Sequence, residues 1–188
     1  MKRNLVVACF ALLALCLCAA GVAAQESEQP MPAMGAPEQM QECNSLIGVW
    51  DVASKMKMDM SSEEWTDFEA TATYRMILDG SAVEMTYEGP MMGMLFKGMG
   101  IQTFDRETGL WQMTWTDNMT ARTSLYTGKR EGEKMVMTGE DKYGGMTYLS
   151  RITSFNEKPE SFDWMMENSM DGGNTWITTG KATYTKRK

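Results

Sequence analysis

The sequence predicts an all-β fold, an antiparallel up-and-down barrel of about ten strands. From Val49 onward apolar and polar residues alternate, which puts successive side chains on opposite faces, as a half-buried strand requires. About ten such segments follow one another, and the gaps between them are too short for the crossovers that parallel strands need. Helical periodicity of any length is absent after Ile47. Closure into a barrel is favoured because it removes exposed strand edges, which promote aggregation.

The first 24 residues are typical of a secretory signal peptide. Lys2 and Arg3 precede an apolar run over 5–20, and Val22-Ala23-Ala24 places small residues at the positions that signal peptidase reads. We therefore expect cleavage before Gln25 and a periplasmic or secreted location. The apolar run is too short to predict a membrane span, so no stable membrane insertion is expected after cleavage.

Composition excludes several classes of site and partner. The chain has no histidine, which excludes Ser-His-Asp and Cys-His catalysis, histidine zinc sites and histidine-ligated haem. A formal net charge of −7 argues against nucleic acid and anionic membranes as partners. Cys43 is the only cysteine after residue 24, so no intramolecular disulfide is expected. These exclusions favour a non-enzymatic protein without a cofactor, and they leave the oligomeric state open.

The elements follow in order along the chain. Residues 25–37, rich in Pro, Gln, Glu and Met, are predicted to form a flexible leader, and residues 38–188 are predicted to form a single barrel domain. A short helix is predicted over 38–47, because Met40, Cys43 and Ile47 share one face at helical spacing. The strands then begin at Val49.

The predicted inward faces of the strands are rich in aromatic residues and methionine. The early ones are Trp50, Val52, Met56, Met58 and Met60; then Phe68, Ala70, Ala72, Tyr74, Met76 and Leu78; then Val83, Met85 and Tyr87; then Trp111, Met113 and Trp115. Trp65 and Trp164 are expected to join the core. Asp79-Gly80 predicts a hairpin turn. Later strands are predicted at 121–129, 134–141, 146–155, 161–167 and 175–186.

Two stretches of sequence resemble a known family. Ser45-Leu46-Ile47-Gly48-Val49-Trp50 resembles the opening of lipocalin-like barrels, in which a short helix closes one end and Gly-x-Trp begins the first strand. Further matches are Tyr87-Glu88-Gly89, Met92-Gly93, Phe96, Gly98, Gly100, Phe104-Asp105, Gly109, Trp111, Trp115 and Asp117. Together they resemble a family of uncharacterised exported bacterial proteins with a lipocalin-like barrel. The resemblance implies the fold and a ligand cavity by analogy, and it implies no established activity.

The leading functional hypothesis is therefore a small apolar or amphipathic ligand inside the barrel. Binding would come from apolar burial, with one or two polar groups fixing the orientation. The candidate ligand-binding residues are Trp50, Met56, Met58, Tyr74, Tyr87, Met113, Trp115, Asp117 and Arg122. Asp117 has the parity of Trp115, so it either pairs with Arg122 at the barrel mouth or serves as a turn residue. Gly98 and Gly100 share one face and either leave room for a ligand or mark a bend.

Methionine supplies the alternative hypothesis. The chain holds 21 methionines, many of them clustered. They fill an irregular core, bind a soft metal such as copper, or absorb oxidants. Met91, Met92 and Met94 are the candidate metal ligands, because their loop is expected at a barrel rim.

Ser169-x-Asp171-x-Gly173-x-Thr175-Trp176 matches the turn known as an Asp-box. In sialidase-type propellers this turn recurs once per blade, whereas here it occurs once. We therefore interpret it as a structural turn in which Asp171 binds the backbone and Trp176 covers it. It does not indicate glycosidase activity.

Overall fold

A computed structural model describes residues 34–59 and 61–188 and shows a closed barrel of ten antiparallel strands. The strands are β1 Gly48–Met56, β2 Thr66–Ile77, β3 Ala82–Met91, β4 Met94–Asp105, β5 Leu110–Asp117, β6 Thr123–Glu131, β7 Lys134–Tyr143, β8 Met146–Lys158, β9 Ser161–Ser169 and β10 Ile177–Lys186. Each strand pairs with the next, and β1 closes the barrel by pairing with β10, with Trp50 opposite Lys186. The predicted all-β antiparallel barrel of about ten strands is confirmed. The predicted signal peptide and most of the leader lie outside the described residues.

The strand connections divide between two ends of the barrel. One end carries a 3₁₀ helix, Glu38–Leu46, and the connections β2–β3, β4–β5, β6–β7 and β8–β9; we call it the helix end. The connections β1–β2, β3–β4, β5–β6, β7–β8 and β9–β10 form the opposite end, which we call the loop end. The short helix expected over 38–47 is thus a run of 3₁₀ turns and not an α-helix. Its N-cap residue is Pro37, and no side chain in the described ranges caps its first N–H groups.

Aromatic side chains fill the helix end. Trp50 is 1% exposed, and its Nε1 donates to the Leu46 carbonyl at 2.7 Å. The Phe162 ring meets Trp50 edge-on at 5.0 Å and stacks on Tyr184 at 4.3 Å. The Lys186 ammonium lies 5.2 Å from the centre of the Trp50 ring and donates to the Ser45 carbonyl. Burial of each large apolar ring stabilises the fold by about 1.5–3 kcal/mol, so the helix end contributes a large part of the barrel's stability.

Three residues predicted to lie on an inward face or in the core lie outside it, and all are next to strand ends. Met58 is 48% exposed on the β1–β2 connection, because β1 ends at Met56. Leu78 is exposed in the turn Leu78–Gly80 that follows β2. Trp65 precedes β2 and packs against the ammonium groups of Lys57 and Lys181. Alternation in the sequence continues past the point where strand pairing stops. Met60 lies outside the described residues.

Residues 34–59 and 61–188 contain no helix that is long and apolar enough to cross a bilayer.

Candidate functional site

Two of the predicted ligand-binding residues lie in the packed helix end. The Lys186 ammonium lies over the Trp50 ring, and the Phe162 ring packs against it edge-on. Tyr74 is buried and meets the Phe162 ring edge-on at 6.4 Å. Burial raises the pKa of Tyr74, and a hydrogen bond with the Tyr184 hydroxyl opposes the rise. Because both side chains are enclosed by neighbours, they stabilise the barrel and present little surface to a ligand.

Three other predicted residues form an apolar wall on the inside of β3 and β5. Tyr87, Met113 and Trp115 point inward yet are only half-buried. The Tyr87 ring meets Trp115 edge-on at 6.4 Å and Phe96 at 5.9 Å. We call Tyr87, Phe96, Met113 and Trp115 the apolar wall. Tyr87, Met113 and Trp115 keep accessible surface although they face inward, whereas Phe96 is buried, so these three residues are the inward apolar surface that remains open to contact.

Gly98 and Gly100 provide room for the protein itself. A Cβ atom at Gly98 would lie 2.2 Å from Cζ2 of Trp115, so the indole occupies the space that the missing side chain leaves. A Cβ atom at Gly100 would lie 2.4 Å from the Thr114 carbonyl oxygen, which marks a close approach of β4 and β5. The space at both glycines is taken up by the protein and is not open to a ligand, and the strand registers run through both without the bulge that the other interpretation called for.

Met56 and Met58, which were predicted to act together, are separated. Met56 is half-buried at the end of β1, and its Sδ lies 2.9 Å from the position of a Cβ atom at Gly180. Cζ3 of Trp164 lies 3.1 Å from the same position, so Met56 and Trp164 pack over this glycine. Met58 lies beyond the strand on the loop end. Only Met56 therefore faces the interior.

Asp117 and Arg122 lie at the loop end but do not pair with each other. Asp117 Oδ1 accepts hydrogen bonds from the backbone N–H groups of Met119 and Thr120 at 3.0 and 2.7 Å. Its Oδ2 accepts from Trp115 Nε1 at 3.1 Å. Asp117 thus caps the β5–β6 turn and orients the indole of the apolar wall. It is a turn residue that also positions Trp115.

Arg122 pairs instead with Asp141, a residue that the sequence analysis did not single out. Asp141 is 9% exposed and accepts hydrogen bonds on Oδ1 from Arg122 Nη2 at 2.6 Å and Ser124 Oγ at 2.5 Å. Its Oδ2 accepts from the Tyr126 hydroxyl at 2.5 Å. Arg122 also donates to the Lys142 carbonyl. Three donors on one buried carboxylate make this a compensated polar cluster.

More polar groups continue the cluster onto β8 and β9. Burial raises the pKa of Tyr126, and its hydrogen bond to Asp141 adds to the rise. The Ser150 side chain is 1% exposed, and the described residues give its Oγ no hydrogen bond of good geometry, although it lies close enough to Tyr126 to oppose that rise. Asn168 is buried directly opposite Ser150. We call Ser124, Tyr126, Asp141 and Ser150 the polar wall.

The two walls adjoin. Trp115 is directly opposite Ser124 in the β5–β6 pair, and Met113 is directly opposite Tyr126. The inside of the barrel near the loop end therefore has an aromatic and methionine side next to a hydroxyl and carboxylate side. The sequence signal for the second side was available: Asp141 continues the inward parity of Met135, Met137 and Gly139 along β7.

The methionines proposed as metal ligands share the β3–β4 hairpin. Met91 is directly opposite Met94, and Met92 forms the turn with Gly93. Met92 and Met94 are 71% and 51% exposed. No group of three or more His, Cys, Asp or Glu residues in the described ranges is placed to hold a metal ion.

The Asp171 turn has the structural role expected of it. Asp171 accepts from the Thr175 backbone N–H at 2.9 Å and from the Thr175 and Ser169 hydroxyls at 2.6 and 2.8 Å. These bonds, those from Thr175 first, lower the pKa of Asp171 to about 2. Trp176 Nε1 donates to the Gly173 carbonyl at 3.0 Å. Both carboxylate oxygens of Asp171 are thus engaged in hydrogen bonds within the turn.

Two concavities lie on the outer wall of the barrel. One, of about 450 Å³, is lined by outward residues that include Asp51, Glu69, Glu88 and Arg187. The other, of about 690 Å³, is lined by Arg130 and by residues on either side of the β8–β9 connection, among them Lys158 and Ser161. Both are open to solvent and bordered by charged side chains. They do not provide the enclosed apolar surface that a small apolar ligand needs.

Comparison with known proteins gives a family and two structural neighbours. Residues 37–186 match the family described as "Protein of unknown function (DUF1579)". The crystal structure of Rv2717c from M. tuberculosis is similar with a TM-score of 0.60 at 9% identity, covering 81% of this chain and 99% of that one. The S-type phycobiliprotein lyase CPES from Guillardia theta is similar with a TM-score of 0.52 at 9% identity, covering 79% of this chain and 92% of that one. No curated protein sequence gives a significant match.

The chain belongs to the DUF1579 family, because the match spans most of its length. This confirms the resemblance to an uncharacterised family with a barrel fold. At 9% identity, the two structural neighbours show the shared fold and nothing further.

Proposed function

We propose that this DUF1579 protein is an exported, non-enzymatic barrel that binds a small apolar or amphipathic molecule near its loop end. The observation that carries the proposal is that Tyr87, Met113 and Trp115 face inward in a closed barrel and still keep accessible surface. A ligand that covers them removes apolar surface from water, at about 25 cal/mol per Å². The helix end offers no comparable surface, because Trp50 and Tyr74 are already enclosed.

The polar wall would set the orientation of the ligand. Asp141 already accepts three hydrogen bonds, and one comes from Arg122, so its charge is compensated. Among the described residues the Ser150 hydroxyl has no hydrogen bond of good geometry, but its side chain is 1% exposed, so a ligand reaches it only when neighbouring side chains move aside. Hydroxyls donate and accept equally well, and they do not demand a charged partner. The favoured ligand is therefore amphipathic with a neutral hydrogen-bonding group.

The structural neighbours are consistent with this proposal. One of them is named as a phycobiliprotein lyase, so a barrel of this shape occurs in a protein that handles another molecule. The signal-like residues 1–24 support export to the periplasm or the medium. Within the barrel, the side-by-side apolar and polar walls support a ligand with one apolar and one polar part.

A fluorescent amphipathic lipid probe with a neutral head tests the proposal. Met113→Gln replaces a thioether of the apolar wall with an amide of similar length, and it is expected to weaken probe binding several-fold. Met99→Gln is the matched control, because Met99 is exposed on the outer face of β4. Circular dichroism establishes that both variants keep the fold. The proposal is lost if the probe does not bind the unmodified protein, or if both variants bind it equally well.

A second candidate function is soft-metal binding by Met91, Met92 and Met94. It is favoured by their position in one hairpin, where Met91 and Met94 are directly opposite and Met92 joins them at the turn. Thioethers are soft ligands that suit Cu(I). A Cu(I) titration of the full chain and of the triple Met→Leu variant tests it, since leucine keeps the volume and removes the sulfur. Equal affinity in the two proteins excludes the hairpin as the copper site.

A further inference from the structure

Exposed methionines form a ring at one end of the barrel. Six methionines at the loop end are between 48% and 71% exposed: Met58, Met92, Met94, Met119, Met146 and Met170. We call these six residues the methionine rim. Each of the five connections at this end carries or borders at least one of them. The rim therefore surrounds the approach to the apolar and polar walls.

The opposite end has a different composition. Its four strand-to-strand connections are 78–81, 106–109, 132–133 and 159–160, and none contains a methionine. They carry Asp79, Arg106, Glu107, Glu133 and Glu160 instead. Met40 lies in the 3₁₀ helix and is buried, and Met34 precedes that helix and is 89% exposed, so the difference between the two ends concerns the strand-to-strand connections.

Met92 occupies a backbone position that methionine rarely adopts. It has a φ of +53° in the tight turn with Gly93. Asparagine and glycine are the residues that adopt this left-handed conformation most readily, and Asn-Gly is the usual sequence of such a hairpin turn. Methionine packs well in a core but gains little from packing when 71% exposed. Leu78, 70% exposed with a φ of +50° at the helix end, has the same conformation without a thioether, so what distinguishes the rim is the distribution of its methionines over the loop-end connections.

We propose that the methionine rim is a site of reversible oxidation by peroxides. The thioether sulfur attacks one oxygen of hydrogen peroxide, the O–O bond breaks, and a sulfur–oxygen bond forms. The sulfur loses two electrons, the peroxide is reduced, and the proton of the transferred oxygen moves to the departing hydroxide to give water. A methionine sulfoxide reductase restores the thioether with electrons from thiols.

Oxidation of the rim also changes how a ligand reaches the barrel, a consequence that rests on the proposed function. A sulfoxide is polar and a hydrogen-bond acceptor, whereas a thioether is apolar and soft. Six such changes make the loop end, whose connections already carry charged and polar residues such as Asp59 and Asn118, more polar still. The oxidised protein then binds an apolar or amphipathic molecule less tightly, and reduction restores binding.

Peptide mass mapping of the full chain after limited exposure to hydrogen peroxide tests the modification itself. The buried residues Met40, Met135 and Met137 serve as internal controls. The rim sulfurs are expected to oxidise about tenfold faster or more, because a buried thioether reacts only when the structure opens. Equal rates for rim and buried methionines overturn the proposal, whatever the outcome of ligand binding.

The effect on binding is tested with the fluorescent lipid probe and two variants. In the rim variant all six rim methionines are changed to leucine; in the control variant only Met99, 45% exposed on the outer wall, is changed to leucine. Peroxide is expected to weaken probe binding about tenfold in the unmodified protein and in Met99→Leu, equivalent to about 1.4 kcal/mol. The rim variant is expected to keep its affinity. An equal loss of probe affinity in the rim variant overturns the proposal that oxidation of the rim controls ligand binding. A variant with only Met92→Leu and Met94→Leu, expected to lose part of the response, repeats the test with fewer changes.

Discussion

Replacing Asp141 with alanine is expected to lower the free energy of unfolding by about 2–4 kcal/mol. The substitution removes the acceptor of the Ser124 and Tyr126 hydroxyls, which are buried. Each buried polar group left without a partner costs about 1–3 kcal/mol. Arg122 loses its ion pair as well, but 35% of its side chain is exposed, so water offsets most of that loss. With a urea m-value of about 2 kcal/mol per M, the unfolding midpoint falls by about 1–2 M.

Urea denaturation followed by tryptophan fluorescence and far-ultraviolet circular dichroism measures this change. Glu140→Ala is the matched control, because Glu140 is the preceding carboxylate on β7 and its side chain is 61% exposed. We expect the control to change stability by no more than about 0.5 kcal/mol. A double-mutant cycle with Tyr126→Phe isolates the hydroxyl–carboxylate bond. If Asp141→Ala costs no more than Glu140→Ala, the compensated polar cluster is not a stabilising part of the barrel.

Three further changes test other parts of the structure. Gly98→Ala places a methyl group 2.2 Å from Trp115 and is expected to lower the free energy of unfolding by about 1–3 kcal/mol, measured by thermal unfolding. The near-ultraviolet circular dichroism of the variant is expected to shift, and an unchanged spectrum contradicts the packing of Trp115 over Gly98. The pKa of Asp171 is lowered to about 2 from its ordinary 3.8, so its stabilising effect is complete above about pH 4 and is lost as the pH falls through about 2. The stability difference between the unmodified protein and Asp171→Asn is therefore expected to shrink over that range in acid urea titrations, and a constant difference opposes this assignment. Burial raises the pKa of the Cys43 thiol to about 12, so a disulfide reagent at about pH 8 is expected to label it only after unfolding; rapid labelling of the native protein refutes its burial.

Much of the architecture followed from alternation in the sequence. The later strands were predicted at 121–129, 134–141, 146–155, 161–167 and 175–186, and each overlaps an observed strand. Alternation succeeds here because every strand of a closed barrel has one buried and one solvated face. It fails at strand ends such as Met58, where polar and apolar residues still alternate but no neighbouring strand supplies hydrogen bonds.

The candidate site was predictable only in part. Tyr87, Met113 and Trp115 follow from parity alone, since each is large, apolar and on an inward face. The partner of Arg122 does not follow, because Asp117 and Asp141 both have inward parity and only the fold decides which carboxylate the guanidinium reaches. Turn chemistry supplies part of the answer: Asp117 is committed to the N–H groups of Met119 and Thr120. The methionine rim also needed the structure, because its members are spread from residue 58 to residue 170 and meet only when alternate connections gather at one end.

The seam between β1 and β10 has a consequence for how the chain acquires its shape. Trp50 finds its neighbour Lys186 only after nearly the whole domain has been made, so the hydrogen bonds that seal the circle form last along the sequence. Until then β1 and the strand formed last each have an edge of unpaired amide and carbonyl groups, and such edges pair with other chains. Contacts so distant in sequence also slow folding. A chain that stops short of its final strand would therefore remain an open, curled sheet with two adhesive edges.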